Sequence, residues 1–188
     1  MLLITLQYIP IRLDVAFLNI KQQYIDIIPW RIAFFVHVFS SMFVLLAGFT
    51  QFSSTLLKKY PVLHRWIGKI YIFDVLFITG PASFIMALFA NGGISSRLAF
   101  TTLAILWIFT TYQAYTSIRA RNIKAHKEYM IRSFALTLSA ITLRAWKYAL
   151  VFFFALRPMD VYMLVAWLGF VPNLLFAEWL IRNPSRAK

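Results

Sequence analysis

The chain has 188 residues, 61% of them hydrophobic and only 13% charged, with a formal net charge of +13. Soluble domains are about half apolar and about a quarter charged, so this composition argues against an ordinary soluble domain. The chain has no cysteine, which excludes disulfides, thiolate metal sites and cysteine nucleophiles.

Apolar runs of eighteen or more residues recur along the chain. Runs of this length are typical of transmembrane helices. We therefore expect an all-α integral membrane helical bundle of about five transmembrane helices, with the lipid bilayer as its first partner. Most basic residues lie in short loops between the apolar runs, so they indicate membrane topology rather than a nucleic-acid partner.

The composition divides the chain into three predicted segments. Residues 1–29 are predicted to form an amino-terminal interfacial segment, because the apolar stretch 1–9 is too short to span a bilayer. Within it, residues 16–28 favour a short helix lying on the membrane surface. The apolar side of that helix is expected to carry Phe17, Ile20, Tyr24, Ile27 and Ile28. Residues 30–182 then form one bundle, and 183–188 form a basic cytoplasmic tail.

The first two predicted spans cover residues 31–52 and 66–90. His37 and Gln51 lie on a small, polar face of the first span at helical spacing. The second span contains Asp74 and the pair Gly80-Pro81, which is expected to kink the helix or loosen its backbone bonding. A tight turn is predicted at residues 90–93.

Three further spans are predicted at 98–118, 128–155 and 161–181, and Ser95 or Ser96 is expected to cap the first of them. The stretch from His126 to Arg144 organises the fourth span. At about 100° per residue, one narrow face carries His126, Met130, Ser133, Thr137, Ala140 and Arg144. Its two basic ends are 18 positions, or about 27 Å, apart, close to the thickness of the hydrocarbon core.

Lysine and arginine are unevenly divided between the two sides of the predicted bundle. The richer side includes the loops around Lys58 and Lys124 and the tail residues Arg182, Arg186 and Lys188. The positive-inside rule places this side in the cytoplasm. The amino terminus is then outside, the carboxyl terminus is cytoplasmic, and His64 and His126 both lie at the cytoplasmic interface.

Several charged and polar side chains lie within the predicted spans. Each is expected to have a partner, because an unpaired charge in hydrocarbon costs at least about 2.5–3.5 kcal/mol. At a rise of about 1.5 Å per residue, Arg132 and Glu178 lie at matching depth and are predicted to form an ion pair. The expected intramembrane polar network comprises Gln51, Asp74, Arg132, Asn173 and Glu178.

The three histidines point to a cofactor. Neutral imidazole is a ligand for haem iron, copper and zinc. His64 and His126 share a predicted depth, as a metal or an axial haem pair requires, whereas His37 lies toward the other face. Arg65 and Arg144 are the accompanying candidate cofactor-binding residues. The alternative is that His64 and His126 are interfacial residues within basic loops and that His37 is a hydrogen-bonded core residue.

Four blocks of the chain carry a resemblance to a known family. They are HVFSSMFVLLAGFTQF (37–52), YPVLHRWIGKIYIF (60–73), HKEYMIRSFALTLSAITLRAW (126–146) and AWLGFVPNLLFAEWL (166–180). Over about residues 30–181 the chain resembles a bacterial family of predicted membrane proteins, domain of unknown function 2306. The resemblance implies a multi-pass protein of the bacterial cytoplasmic membrane. More loosely, the family is similar to four-helix membrane cytochromes of the b type. The motif residues of the resemblance are His37, Gln51, His64, Arg65, Gly68, Trp107, His126, Met130, Arg132, Arg144, Asn173 and Glu178.

Three functional hypotheses follow from these features. The first is a redox subunit holding haem b or a transition metal at His64 and His126. The second is a small transporter or proton-coupled carrier that uses Asp74, Arg144 and Glu178. The third is a non-catalytic accessory subunit, with another membrane protein or a second copy of the chain as its partner. No phosphate loop, catalytic triad order or HExxH motif occurs, so no catalytic residue is assigned.

Overall fold

The computed structural model describes residues 2–183, and every regular element in that range is helical. The predicted all-α class is therefore confirmed. In chain order the elements are α1 (Leu2–Leu6), a 3₁₀ helix (Ala16–Tyr24), α2 (Ile28–Gln51), α3 (Ser54–Lys59), α4 (Pro61–Asp74), a π-helical turn (Val75–Thr79), α5 (Gly80–Leu88), α6 (Gly93–Arg119), α7 (Ile123–Thr137), α8 (Ser139–Phe154), α9 (Pro158–Leu168) and α10 (Val171–Arg182).

Four helical stretches are long and apolar enough to cross a membrane. They are Ile28–Gln51, Pro61–Leu88, Gly93–Arg119 and Pro158–Arg182, and the bent pair α7 and α8 makes a fifth if it is counted as one span. Only 28–33% of their most apolar windows is buried, which leaves most of that surface for contact with lipid. The membrane helical architecture predicted from the sequence is confirmed.

The chain forms two compact units, residues 1–89 and 90–188. In the first unit, the amino-terminal segment packs on the start of α2 through an aromatic core. This core comprises Tyr8, Leu18, Ile25, Trp30 and Phe34, and the rings of Trp30 and Phe34 stack 5.6 Å apart. Burial of these rings attaches the segment to the first span.

The helix at residues 16–24 buries other side chains than those of its predicted apolar side, although Phe17 and Tyr24 of that side pack against the aromatic core. The structure buries Leu18 and Lys21, which are 0% and 2% exposed, and leaves Ile20 58% exposed. A 3₁₀ helix has three residues per turn, so residues 18 and 21 face the same way. The Lys21 ammonium donates a hydrogen bond to the Phe89 carbonyl and lies 4.8 Å from the centre of the Tyr24 ring.

Helices α2 and α4 begin earlier than predicted because each has a proline in its first turn. Pro29 and Pro61 occupy the first turn of their helices. The first N–H groups of a helix have no hydrogen-bond acceptor within the helix, so proline, which has no N–H, loses no hydrogen bond at these positions. Helix α4 therefore includes His64 and Arg65 instead of beginning after them.

The second unit begins with the predicted tight turn, which is confirmed. Gly92 and Gly93 have φ of +80° and +72°, values that glycine adopts without strain. These two residues lead directly into α6, so Ser95 and Ser96 fall inside its first turn and the predicted capping is wrong. Instead, Ser95 Oγ accepts a hydrogen bond of 3.1 Å from Trp167 Nε1.

The predicted continuous fourth span is wrong. It is interrupted at Leu138 and bends by 40° between α7 and α8, so His126 and Arg144 do not lie in line on one helix. Thr142 Oγ1 bonds to the carbonyls of Leu138 (3.2 Å) and Gly169 (2.5 Å). Threonine hydroxyls that bond to the preceding turn are a recognised cause of helix bending.

The last span is likewise built from two helices. Pro172 lies in the first turn of α10 and cannot donate to the helix before it, which accounts for the break after Leu168. At Gly169 in this break, an added Cβ would lie 3.0 Å from Leu143 Cβ, so the absence of a side chain lets α8 pack closely. The predicted orientation, the single 30–182 domain and the cytoplasmic tail stay predictions, and Arg186 and Lys188 lie outside the described residues.

Candidate functional site

A chain of hydrogen-bonded polar groups crosses from the second span to the first within the amino-terminal unit. Asp74 ends α4 and is 9% exposed, and Thr79 ends the π-helical turn and is fully buried. Thr79 Oγ1 bonds to Asp74 Oδ1 and lies 2.6 Å from Ser40 Oγ on α2. Ser40 Oγ in turn lies 2.6 Å from the Val36 carbonyl oxygen. We call Asp74, Thr79, Ser40 and the Val36 carbonyl the Asp74 relay.

Counting hydrogens indicates the charge state of the Asp74 relay. Its four groups make three oxygen–oxygen contacts, each hydroxyl supplies one hydrogen, and the carbonyl supplies none. With Asp74 ionised, two hydrogens serve three contacts, which leaves one contact without a hydrogen. A neutral Asp74 supplies the third, donating to Thr79, which donates to Ser40, which donates to Val36. The geometry therefore fits a protonated Asp74.

His37 belongs to a second hydrogen-bonded group beside the relay. His37 Nδ1 lies 2.8 Å from Ser83 Oγ on α5, and Ser83 Oγ lies 2.7 Å from the Thr79 carbonyl. Ser83 has one hydrogen, so when it donates to the carbonyl it accepts from His37. The alternative from the sequence, that His37 is a hydrogen-bonded core residue, agrees with this contact.

The π-helical turn explains how Asp74 and Thr79 meet. Pro81 has no N–H for the Phe77 carbonyl four residues earlier, and the backbone widens at Val75–Thr79. Residues five apart then lie on the same side of the helix. The loosened bonding predicted at Gly80-Pro81 is confirmed, whereas the roles of Thr79, Ser40 and Ser83 were missed.

The predicted ion pair between Arg132 and Glu178 is confirmed in the second unit. Arg132 on α7 donates from Nε (2.5 Å) and from its terminal nitrogen (3.0 Å) to the two carboxylate oxygens of Glu178 on α10. This bidentate geometry is the strong form of the arginine–carboxylate contact. The guanidinium carbon also lies 5.2 Å from the centre of the Tyr129 ring.

The polar face of α7 packs on α6. Thr111 Oγ1 and Ser133 Oγ are 2.7 Å apart, and Trp107 Nε1 donates to Thr137 Oγ1 over 3.0 Å. The small polar face predicted for this helix is thus a helix contact along α7. Beyond the bend, Arg144 donates to the Ala140 carbonyl of its own helix.

Asn173 holds the interrupted helices of the second unit together. Its Nδ2 lies 3.1 Å from the Ala135 carbonyl, 3.0 Å from Thr142 Oγ1 and 3.2 Å from the Gly169 carbonyl. An amide carries two hydrogens, so these contacts share them. Sequence reasoning placed Asn173 in the polar network but missed Thr142, because it did not anticipate the break in the fourth span.

The remaining candidates near the start of the second span form a close contact. An added Cβ at Gly68 would lie 2.8 Å from Gln51 Oε1, so the Gln51 amide packs on Gly68. Gln51 Nε2 is buried with no hydrogen-bond partner among residues 2–183. His64 is half-buried and Arg65 is exposed.

His126 has a defined ring orientation. Its Nδ1 lies 2.9 Å from the Ala114 carbonyl, which can only accept, so Nδ1 carries the hydrogen. Within residues 2–183, no group of three or more His, Asp and Glu side chains is placed to hold a metal ion. A site shared by His64 and His126 stays a prediction.

Apolar helices long enough to cross a bilayer, with polar and charged groups between them, define a polytopic α-helical membrane protein. Within that class, the chain belongs to the family described as predicted membrane protein (DUF2306), whose model matches residues 34–181. The resemblance inferred from the sequence is thereby confirmed. No curated protein and no solved structure matches the chain.

Proposed function

We propose that this protein is a proton-coupled membrane carrier in which Asp74 takes up and releases the coupling proton. The observation that carries the proposal is the Asp74 relay, in which a buried carboxylic acid completes a hydrogen-bonded chain from the second span to α2. Ionisable residues are costly within membrane spans, and those that occur there often mark a pathway for protons or substrates.

The relay couples the charge of Asp74 to the contact between two spans. A neutral Asp74 satisfies every contact from Thr79 through Ser40 to Val36. Loss of its proton removes one hydrogen, so one of these contacts must open or another donor must approach. A change that both alters the charge and loosens the packing of α2 is what a carrier needs in order to alternate between two states.

Proton flux into proteoliposomes tests the proposal. The purified chain is reconstituted with a pH-sensitive dye inside, and a potassium gradient with valinomycin drives proton entry. We expect wild-type flux above that of empty liposomes and at least a tenfold loss in Asp74→Asn. Asp26→Asn, which removes an exposed carboxylate in the interfacial segment, is the matched control. Unchanged flux in Asp74→Asn, with its helicity intact, would remove the proposal.

A redox subunit is the second candidate, and the ring of His126 supports it. With Nδ1 donating to the Ala114 carbonyl, Nε2 carries the lone pair, which is the arrangement found in histidines that ligate metals. When bound, haem or a transition metal would supply one-electron chemistry. The optical spectrum of protein purified from haem-supplied cells, with a pyridine haemochrome assay and metal analysis, decides this candidate. A colourless, metal-free wild type counts against it, as does a haem content that His126→Ala leaves unchanged.

A further inference from the structure

A cavity of about 370 Å³ lies in the second unit, between α6, α7 and α10. This volume is within the range of about 300–1,000 Å³ that is typical of small-molecule sites. The cavity contains the Arg132–Glu178 ion pair and a second carboxylate, Glu128. None of its residues belongs to the Asp74 relay, so what it binds is a separate question from proton transfer.

The cavity is lined by polar side chains at one end of the helices and by apolar side chains further along them. Glu178 lies one turn from the end of α10, and Glu128 lies in the second turn of α7, so both carboxylates are near helix ends. The apolar lining residues Leu106, Phe109 and Leu174 lie further along the spans, toward their middle. Phe109 is 49% exposed, so the cavity opens onto the apolar outer surface. A ligand with a polar head and an apolar body matches this division.

Part of the donor capacity around the cavity is engaged, since two of the five N–H groups of Arg132 bond to Glu178. Arg132 directs Nε and one terminal nitrogen to Glu178, and the Thr110 hydroxyl donates to backbone carbonyls of its own helix, with the nearest 2.8 Å away. Glu128 forms no ion pair within the described part of the chain. The carboxylates of Glu128 and Glu178 give the lining acceptors for a hydrogen-bond donor on a ligand.

The charge of the cavity favours a cation. Arg132 and Glu178 neutralise one another, so the half-buried Glu128 leaves a formal charge of −1. Lys124 lies four residues before Glu128 and Arg182 four residues after Glu178, but both basic side chains are exposed, where water and salt screen them.

We propose that this cavity binds a lipophilic ammonium compound. The ammonium group donates to Glu128 and to the outer lone pairs of Glu178, and the apolar body lies against Leu106, Phe109 and Leu174. The same head group occurs in aminolipids of the bilayer and in free long-chain amines, so the chemistry of the site is shared by both sources.

Binding to the full chain in phosphatidylcholine nanodiscs tests the proposal, with empty nanodiscs as the blank for partition into lipid. Three radiolabelled probes share one chain length and differ in the head: dodecylammonium, dodecanol and dodecanoate. We expect saturable binding of dodecylammonium at least tenfold tighter than of the other two. Glu128→Gln should weaken it at least tenfold, whereas Asp160→Asn, which removes a carboxylate paired with Arg157 elsewhere in the unit, should leave it unchanged.

Equal binding of dodecanoate and dodecylammonium would overturn the proposal, and this comparison uses only the wild-type chain. Wild-type affinity in a helical Glu128→Gln would overturn it as well. Replacing part of the phosphatidylcholine with phosphatidylethanolamine distinguishes the sources. Displacement of bound dodecylammonium supports an aminolipid as the ligand, and retention supports a free amine. Proton flux that stays normal in Glu128→Gln keeps this result separate from the carrier proposal.

Discussion

At the scale of single residues, Thr79 is the centre of the amino-terminal polar groups. Its hydroxyl links Asp74 to Ser40, and its carbonyl contacts Ser83, which bonds to His37. Thr79 therefore connects Asp74 to α2 through its side chain and contacts the His37–Ser83 pair through its carbonyl.

Replacing this hydroxyl should destabilise the protein. Thr79→Val keeps the shape of the side chain but leaves Asp74 and Ser40 without their shared partner, at a cost of about 1–3 kcal/mol for the unsatisfied buried groups. Thermal unfolding in detergent measures the change. Ser41→Ala is the control, since the Ser41 hydroxyl makes only a long contact of 3.4 Å with the Val38 carbonyl. An equal loss in the two variants would contradict the relay.

The ion pair of Arg132 and Glu178 should couple energetically. The side chains are 20% and 33% exposed, so the pair lies between exposed pairs, worth about 0.2–1 kcal/mol, and buried pairs, whose disruption costs about 3–5 kcal/mol. We expect a coupling free energy of about 1–2 kcal/mol in a double-mutant cycle of Arg132→Gln and Glu178→Gln followed by chemical unfolding. Strictly additive single changes would contradict this expectation.

At the scale of elements, three of the five predicted spans contain an interruption. The second span has the π-helical turn, the fourth bends between α7 and α8, and the last divides between α9 and α10. Each interruption lies beside hydroxyl or amide side chains that bond to the freed backbone groups or to one another. This is how membrane helices keep broken backbone hydrogen bonding away from lipid.

The π-helical turn depends on Pro81, so replacing this proline tests the role of the turn. Pro81→Ala supplies an N–H for the Phe77 carbonyl and should return the turn to regular α-helix. Thr79 then rotates away from Asp74, and we expect proton flux to fall at least tenfold. Ala82→Gly, at the neighbouring buried position, controls for a general loosening of the helix. Normal flux in Pro81→Ala would contradict the role of the turn.

At the scale of the whole molecule, apolar run lengths predicted the spans to within a few residues, because a membrane helix must be long and apolar. Depth matching also predicted the Arg132–Glu178 pair, since charges of opposite sign at equal depth within adjacent spans satisfy one another.

The polar contacts were less predictable for a physical reason. Thr79 meets Asp74 only because the helix is locally wider, and a regular period of 3.6 residues places positions five apart on different sides. Thr142 has no signal in the sequence that separates it from any other membrane threonine. The burial of Lys21 has no signal in the local sequence, because its partner is a carbonyl 68 positions away.

The predicted topology can be tested directly because the natural chain has no cysteine. Single cysteines can be introduced at Lys58, Lys124 and Met159, which are exposed residues outside the proposed sites. We expect a membrane-impermeant maleimide to label the first two from the cytoplasmic side and the third from the opposite side, as the positive-inside rule requires. Labelling of positions 58 and 124 from different sides would overturn the predicted orientation.

The burial of Lys21 beneath the aromatic segment has a chemical consequence. An amine enclosed by the Phe89 carbonyl and the Tyr24 ring is shielded from acylating reagents that reach exposed amines such as Lys58 and Lys59. In a time course of acetylation followed by peptide mass spectrometry, Lys21 should be modified well after these two. Its rate of modification then reports how often the amino-terminal segment detaches from the first span.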